Sequence, residues 1–349
     1  MNKNYSIKEP LPEGKLDNSQ LQSLIIDQIS YKDQWVMAHS SVGIDCAQIE
    51  MEEGSIVISS DPITAAKDSV GRLAVDISCN DIASAGARPR WITLVMLMPY
   101  GTTATDVYQV MNQAASRAAK LKVEIIGGHT EITKAVNQPV LMTTAIGYKK
   151  PEFDSLDNVE HQPMADIVEK EPVLLVMTKV AGLEGTAIIA EECGSRLKDV
   201  LSEEEFQEAL ALYENTSVVE EGVLAAACGA LVSHDVTEGG VLGAAWELCH
   251  GAGCGCEITE ASIPVLEVTR KISKVFDIDP LKLISSGSLI SAVKARDVDQ
   301  YLVGLVRHGI AGSVIGRLTG GEMLLVKAAG KAEPLEMPEA DHLYKAIKR

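Results

Sequence analysis

Short apolar runs alternate with helix-length segments along most of this chain, and that rhythm limits what it can fold into. IVISS (56–60), WITLVMLM (91–98), VEIIGG (123–128) and PVLMTTAIG (139–147) read as strands. Between them, SVGRLAVDISCNDIASAGA (69–87) and TDVYQVMNQAASRAAKL (105–121) have helical length. In the second, Val107, Val110, Met111 and Ala114 are spaced for one buried face. Strand, helix, strand, helix, strand, strand predicts an α+β layer, with helices against one face of a mixed sheet. The rhythm returns after residue 171: a strand at 172–179, helices at 181–192, 202–213, 217–229 and 240–250, then strands near 288–293, 312–317 and 322–327. The polar stretch 149–170, with two prolines, is the expected linker between a domain at 1–155 and another at 169–349. Ahead of the first strand, LDNSQLQSLIIDQIS (16–30) reads as a helix capped by Asn18 or Ser19.

Aromatic residues make up only 4% of the chain, so the core must come from Val, Ile, Leu and Ala. Acidic residues outnumber basic ones 49 to 31, for a net charge of −18. That field disfavours nucleic acid or an anionic membrane as a partner. No run of about 18 apolar residues suits a membrane span, and the opening residues lack a signal peptide's apolar stretch. Seven scattered cysteines fit a reducing compartment, and a cytoplasmic protein is the expectation.

Carboxylates recur in short small-residue motifs: Asp45 in SVGIDCA (41–47), Asp61 in SSDPIT (59–64), Asp81 in NDIASAGARPRW (80–91) and Glu131 in GGHTEIT (127–133). Each ends an apolar run or adjoins glycines, where solubility does not call for a charge. Oxygen ligands from separate segments suit Mg²⁺, with substrate phosphates completing its shell. A single such Asp would be an ordinary turn or helix cap; four together point to a metal–nucleotide site. Asp76 and Asn80 are i,i+4 neighbours on the 69–87 helix, beside Asp81.

Gly127 and Gly128 permit close backbone approach to a ligand. His129 is either a metal or phosphate contact or a structural turn residue. Gly239 and Gly240, in HDVTEGGVLGA (234–244), precede a helix whose free N–H groups could receive an anion, or which is merely capped there. Lys179, ahead of Gly182 and Gly185, is a candidate phosphate partner. Neither glycine segment matches the P-loop or the dinucleotide fingerprint. Cys249, His250, Cys254 and Cys256 lack zinc-ligand spacing and read as small buried thiols. Ser285, Ser286 and Ser288 form a polar turn around Gly287.

Taken in order, SVGIDCA, SSDPIT, NDIASAGARPRW, GGHTEIT, GLEGTAIIA and HDVTEGGVLGA resemble the aminoimidazole ribonucleotide (AIR) synthase superfamily over roughly residues 12 to 325. The resemblance is closest to its HypE-like, AIR-synthase-related branch. It implies a two-domain PurM-like α+β fold, with an N-terminal mixed sheet that forms a β-barrel across a homodimer, and a C-terminal α+β domain. It also implies Mg-ATP in the cleft between them, with Asp45, Asp61, Asp81 and Glu131 as metal ligands. Asn80, Gly127, Gly128, Lys179, Gly239 and Gly240 would serve the nucleotide, and His129 and Glu131 catalysis. The family's chemistry phosphorylates a carbonyl or amide oxygen of a small-molecule or peptide substrate. The alternatives are a nucleotide-binding accessory protein that engages a partner without catalysis, or AIR synthase itself. Two departures stand out. HypE proper carries its substrate on a terminal cysteine, whereas the last cysteine here is Cys256; and His129 stands where related branches place Asp.

Overall fold

The computed structural model describes residues 18–20, 22, 26–28, 35–38, 41–44, 46–64, 69–150, 163–327, 330–337 and 340–347. The first sheet contains β1 (Val36–Ala38), β2 (Ala47–Glu50), β3 (Ser55–Ile63), β4 (Arg88–Pro99), β5 (Glu124–Thr133) and β6 (Val140–Lys149), in the order β1-β2-β3-β6-β4-β5. Its pairs are antiparallel except β4–β5. That parallel pair needs a crossover, which the Ala104–Leu121 helix supplies. A Thr103–Asp106 capping box starts this helix, and Lys122 in the left-handed conformation stops it.

The second sheet holds β7 (Val173–Thr178), β8 (Val232–Asp235), β9 (Gly255–Thr259), β10 (Leu289–Lys294), β11 (Gly312–Thr319), β12 (Met323–Val326) and β13 (Ala332–Pro334). Their order is β13-β12-β9-β11-β7-β10-β8, with β12–β9 the parallel pair. Both sheets are mixed, as expected. Several boundaries differ from the sequence reading. β3 runs through Asp61 instead of delivering it at a strand end, and β5 continues through the glycines to Thr133. Part of the expected linker is the Met164–Lys170 helix, and residues 151–162 lie outside the described residues. The expected helix at 16–30 is described only as turns at Asn18–Gln20 and Ile26–Gln28. β8, β9 and the helices Glu267–Phe276 and Val298–Arg307 were not foreseen.

The Val70–Ser84 helix covers one face of the first sheet, and its Ser78 hydroxyl donates to the Thr143 carbonyl at 3.2 Å. The opposite face carries Ile56, Ile58, Trp91, Val95, Met142 and Ile146, all partly exposed. β5 is an edge strand, with Ile126 and Ile132 about half exposed.

The same helix also forms the seam between the two halves. Gly222, in the Val219–Ala227 helix, approaches so closely that a Cβ there would stand 2.2 Å from the Ala83 carbonyl oxygen. Arg88 grips Glu220 through two bonds of 2.9 and 3.0 Å. One apolar core runs on from Val57, Leu73 and Leu141 to Leu183, Ile188 and Leu343. No helix among the described residues is long and apolar enough to cross a membrane.

Candidate functional site

Ser59 on β3 joins two of the motif carboxylates. Its hydroxyl donates to Asp81 Oδ2 at 2.5 Å and lies 3.4 Å from Asp61 Oδ2. Period-two alternation turns Ser59 and Asp61 toward the Val70–Ser84 helix, where Asp81 is nearly buried. Two carboxylates facing one hydroxyl present hard oxygen donors to a small space. That set fits Mg²⁺, which is commonly held by one or two carboxylates and keeps its other positions for water and phosphate oxygens. No three metal-binding side chains among the described residues form a closed cage. Asp45 lies outside the described residues.

Glu131 does not join that pair within the chain. Asp61 pairs with Thr143 on β6, Thr143 with Leu94 on β4, and Leu94 with Gly128 on β5. Glu131 is therefore three strands away, about 14 Å across the sheet, and three residues farther along β5, about 10 Å. It also points the other way. Gly128 shares Asp61's face, so His129 and Glu131 lie on the open, helix-free face. The two side chains do point to the same side, as an extended segment requires: His129 Nε2 is 3.9 Å from Glu131 Oε2, and both are exposed. Gly128 is needed beside β4, because a Cβ there would meet the Leu94 carbonyl oxygen at 1.8 Å. Gly127 faces open space.

Asn80 and Lys179, expected at the nucleotide, are committed elsewhere. The Asn80 amide donates to the Thr216 carbonyl and accepts from the Val218 N–H, both at 2.8 Å, with the side chain fully buried. Asp76 serves the same seam, held by Arg117 Nε at 2.5 Å and the Thr216 hydroxyl at 2.7 Å. Burial pushes the Asp76 carboxyl up, against the pull of Arg117 and Thr216. Lys179 donates to the carbonyls of Ser217 and Gly287, each at 2.7 Å, and pairs with Glu221. Those three partners match its three protons. Asn80 and Asp76 thus fix how the halves meet, while Lys179 ties together loops of the second half.

The turn at Ser285–Ser288 packs onto the segment that follows Lys179: the Gly182 N–H donates to Ser285 Oγ at 2.5 Å, and Ser288 Oγ to the Val180 carbonyl at 2.8 Å. Glu184, at the start of the Leu183–Leu197 helix, is buried there, and the sequence reading passed over it. Burial pushes its carboxyl up to about 7, opposed by the nearby Ser286 hydroxyl and helped by the charges of Asp341, Glu238 and Asp76. Its signal in the sequence is a lone acid in an otherwise apolar and small-residue stretch, AGLEGTAIIA.

Gly239, left-handed at φ 88°, caps the Gly240–Ala252 helix, and its N–H donates to Asp341 Oδ2 at 2.7 Å. Leu343 N–H donates to the other oxygen, also at 2.7 Å. Burial pushes the Asp341 carboxyl up to about 6, against these backbone donors. The glycine turn does receive an anion, and in this structure the anion is the chain's own.

The sequence of residues 43–148 matches the model for the N-terminal domain of AIR synthase related proteins, and residues 172–327 match that for their C-terminal domain. A putative hydrogenase expression/formation protein of Methanocaldococcus jannaschii is 26% identical over 310 residues, covering 86% of this chain and 88% of that protein. The carbamoyl dehydratase HypE of Rhodobacter capsulatus is 24% identical over 319 residues, covering 89% and 88%. Among solved structures, the hydrogenase maturation protein HypE in complex with ATP superposes with a TM-score of 0.66 at 19% identity, covering 96% of this chain and 97% of that one.

Proposed function

This chain belongs to the AIR synthase-related family, and on that premise we propose that it is a cytoplasmic, Mg-ATP-dependent enzyme. It phosphorylates, and thereby dehydrates, an amide or carbonyl oxygen of a small-molecule or peptide substrate. The observation that carries this reading is the Asp61–Ser59–Asp81 group beside the seam between two mixed sheets. Coverage of most of this chain and of its HypE relatives supports the same reaction class. We read the chain as two domains, 1–155 and 169–349, which places each sheet whole within one of them.

Asp61 and Asp81 would hold Mg²⁺, whose chemistry there would be to neutralise phosphate charge. Phosphoryl transfer asks the protein mainly for positioning, and the committed seam residues Asp76 and Asn80, with Lys179 bracing the second half beside them, supply rigidity. Dehydration of an amide requires its nitrogen to lose protons as the phosphorylated oxygen departs. Two buried carboxyls are pushed up to about 6 and about 7, those of Asp341 and Glu184. Asp341 is occupied by two backbone N–H groups, whereas Glu184 keeps one oxygen without a hydrogen-bond partner among the described residues, and we assign Glu184 one of the two protons. Glu131, with His129 beside it, serves the site from a second copy of the chain. Because the carboxylate pair lies on the helix-covered face, the homodimer would have to carry β5 of one copy around the edge of the other's sheet to reach it.

Calorimetric titration of Mg-ATP tests the metal assignment. Asp61→Asn and Asp81→Asn should each weaken binding at least about tenfold, or about 1.4 kcal/mol. Unchanged affinity in both variants would remove the basis for this reading.

A further inference from the structure

Three thiols converge at the end of the Gly240–Ala252 helix farthest from the glycine turn. Gly253 is left-handed at φ 66°. Its N–H bonds to the His250 carbonyl at 3.2 Å, and the Cys254 N–H bonds to the Cys249 carbonyl at 3.0 Å. This paired-bond helix stop brings the side chains of the residues flanking it, here Cys249 and Cys254, against one another. Apolar residues ordinarily make that contact. Here both are cysteines, and Cys256 on β9 completes the group, with the Cys249 thiol in hydrogen-bonding reach of both others. Cys249 and Cys256 are fully buried, whereas Cys254 reaches the surface at 8% exposure. All three are free thiols.

The same helix end seats part of the first domain. A Cβ on Gly251 would stand 2.7 Å from the Gly43 carbonyl oxygen, and one on Gly43 would stand 2.8 Å from the Glu247 carbonyl oxygen. Backbone rests on backbone there, with no side chain to absorb a shift. The segment so seated, 41–44, leads directly into Asp45.

We propose that Cys249 and Cys254 form a reversible disulfide when the protein meets a peroxide, and that this pair makes the seat of residues 41–44 sensitive to oxidation. The Cys254 sulfur attacks the peroxide O–O bond, becomes a sulfenic acid and releases water when the oxidant is hydrogen peroxide. The Cys249 sulfur then displaces that hydroxyl as a second water, forming the S–S bond. Two thiols lose two electrons and two protons, and one peroxide accepts both. Cys254 is the partner that solvent reaches, and the hydrogen bond from Cys249 lowers its thiol from the ordinary value, which favours the attacking thiolate. Cys256 is held in register by β11 and β12 and stays a thiol.

A single peptide tests this. Cleavage after Glu247 and Glu257 releases residues 248–257, which contain all three cysteines. After mild hydrogen peroxide and trapping with N-ethylmaleimide, this peptide should be two hydrogens lighter and carry the label on Cys256 alone. Dithiothreitol should reverse the change, Cys256→Ser should still form the bridge, and Cys254→Ser should not. Amide exchange across residues 41–50 should quicken several-fold in the oxidised protein. Three labelled thiols, sulfinic or sulfonic acid at Cys254 without a bridge, or a bridge surviving in Cys254→Ser would overturn the disulfide. Unchanged exchange at 41–50 would overturn its coupling to the seat.

Discussion

Glu184 has one carboxylate oxygen without a hydrogen-bond partner among the described residues. Its folded pKa of about 7 lies above the ordinary 4.5, so the fold favours the neutral acid. That contribution is complete below the unfolded value and is lost as pH rises through about 7, a change of roughly 3 kcal/mol at most. Glu184→Gln keeps the shape and removes the titration. Its melting temperature should match the native protein's in acid and exceed it well above neutrality. Calorimetric scans across pH decide this, and parallel curves at every pH would refute the burial argument. Residue chemistry was only partly legible in the sequence. Asp61 and Asp81 stood out because carboxylates among small residues have few other uses. Asn80 and Lys179 looked like ligand contacts, because a side chain that binds a nucleotide and one that binds a neighbouring loop's carbonyls have the same letter. Glu184 was missed because nothing local reveals that this helix start will be buried beneath the Ser285–Ser288 turn and Asp341.

Among the elements, the crossing of the Val70–Ser84 and Val219–Ala227 helices leaves least room for change. Gly222→Ala places a methyl 2.2 Å from the Ala83 carbonyl oxygen, which is backbone and cannot rotate away. The helices must separate, at about 1–3 kcal/mol for a forced fit in a packed interior. Urea unfolding should show that loss as a lower midpoint. An unchanged midpoint would mean that the seam is looser than it looks. Apolar runs disclosed β3, β4 and β6 of the first sheet, which alternate between a helix-covered face and an open one apart from a bulge at Pro89–Trp91, but not the short β1 and β2. They failed where the cue was weak. β8 and β9 are four and five residues long, with polar, glycine and cysteine positions, and their burial comes entirely from their place in the second sheet. The glycines of β5 read as a strand end, yet Gly128 continues the pairing because β4 needs its missing side chain.

At the scale of the molecule, the edge of β5, unpaired among the described residues, and the apolar face beside it call for a cover. A two-fold dimer of about 75 kDa, twice the 37.3 kDa chain, supplies one with the commonest symmetry. Light scattering at micromolar concentration checks it, and a monomer would reject it. Asp61 and Glu131 lie on opposite faces of one sheet, so, if the site is shared across the dimer as proposed, a substitution at either position disables a different half of each site. Chains carrying Asp61→Asn and chains carrying Glu131→Gln, each inactive alone, should rescue one another when refolded together. Random pairing makes half the dimers mixed, each with one intact site, so roughly a quarter of native activity returns. If each chain instead built its whole site alone, the mixture would stay as inactive as its parents. With shared sites, a mixed population of the two variants behaves like a diploid with two complementing alleles, in which neither copy works and the pair does.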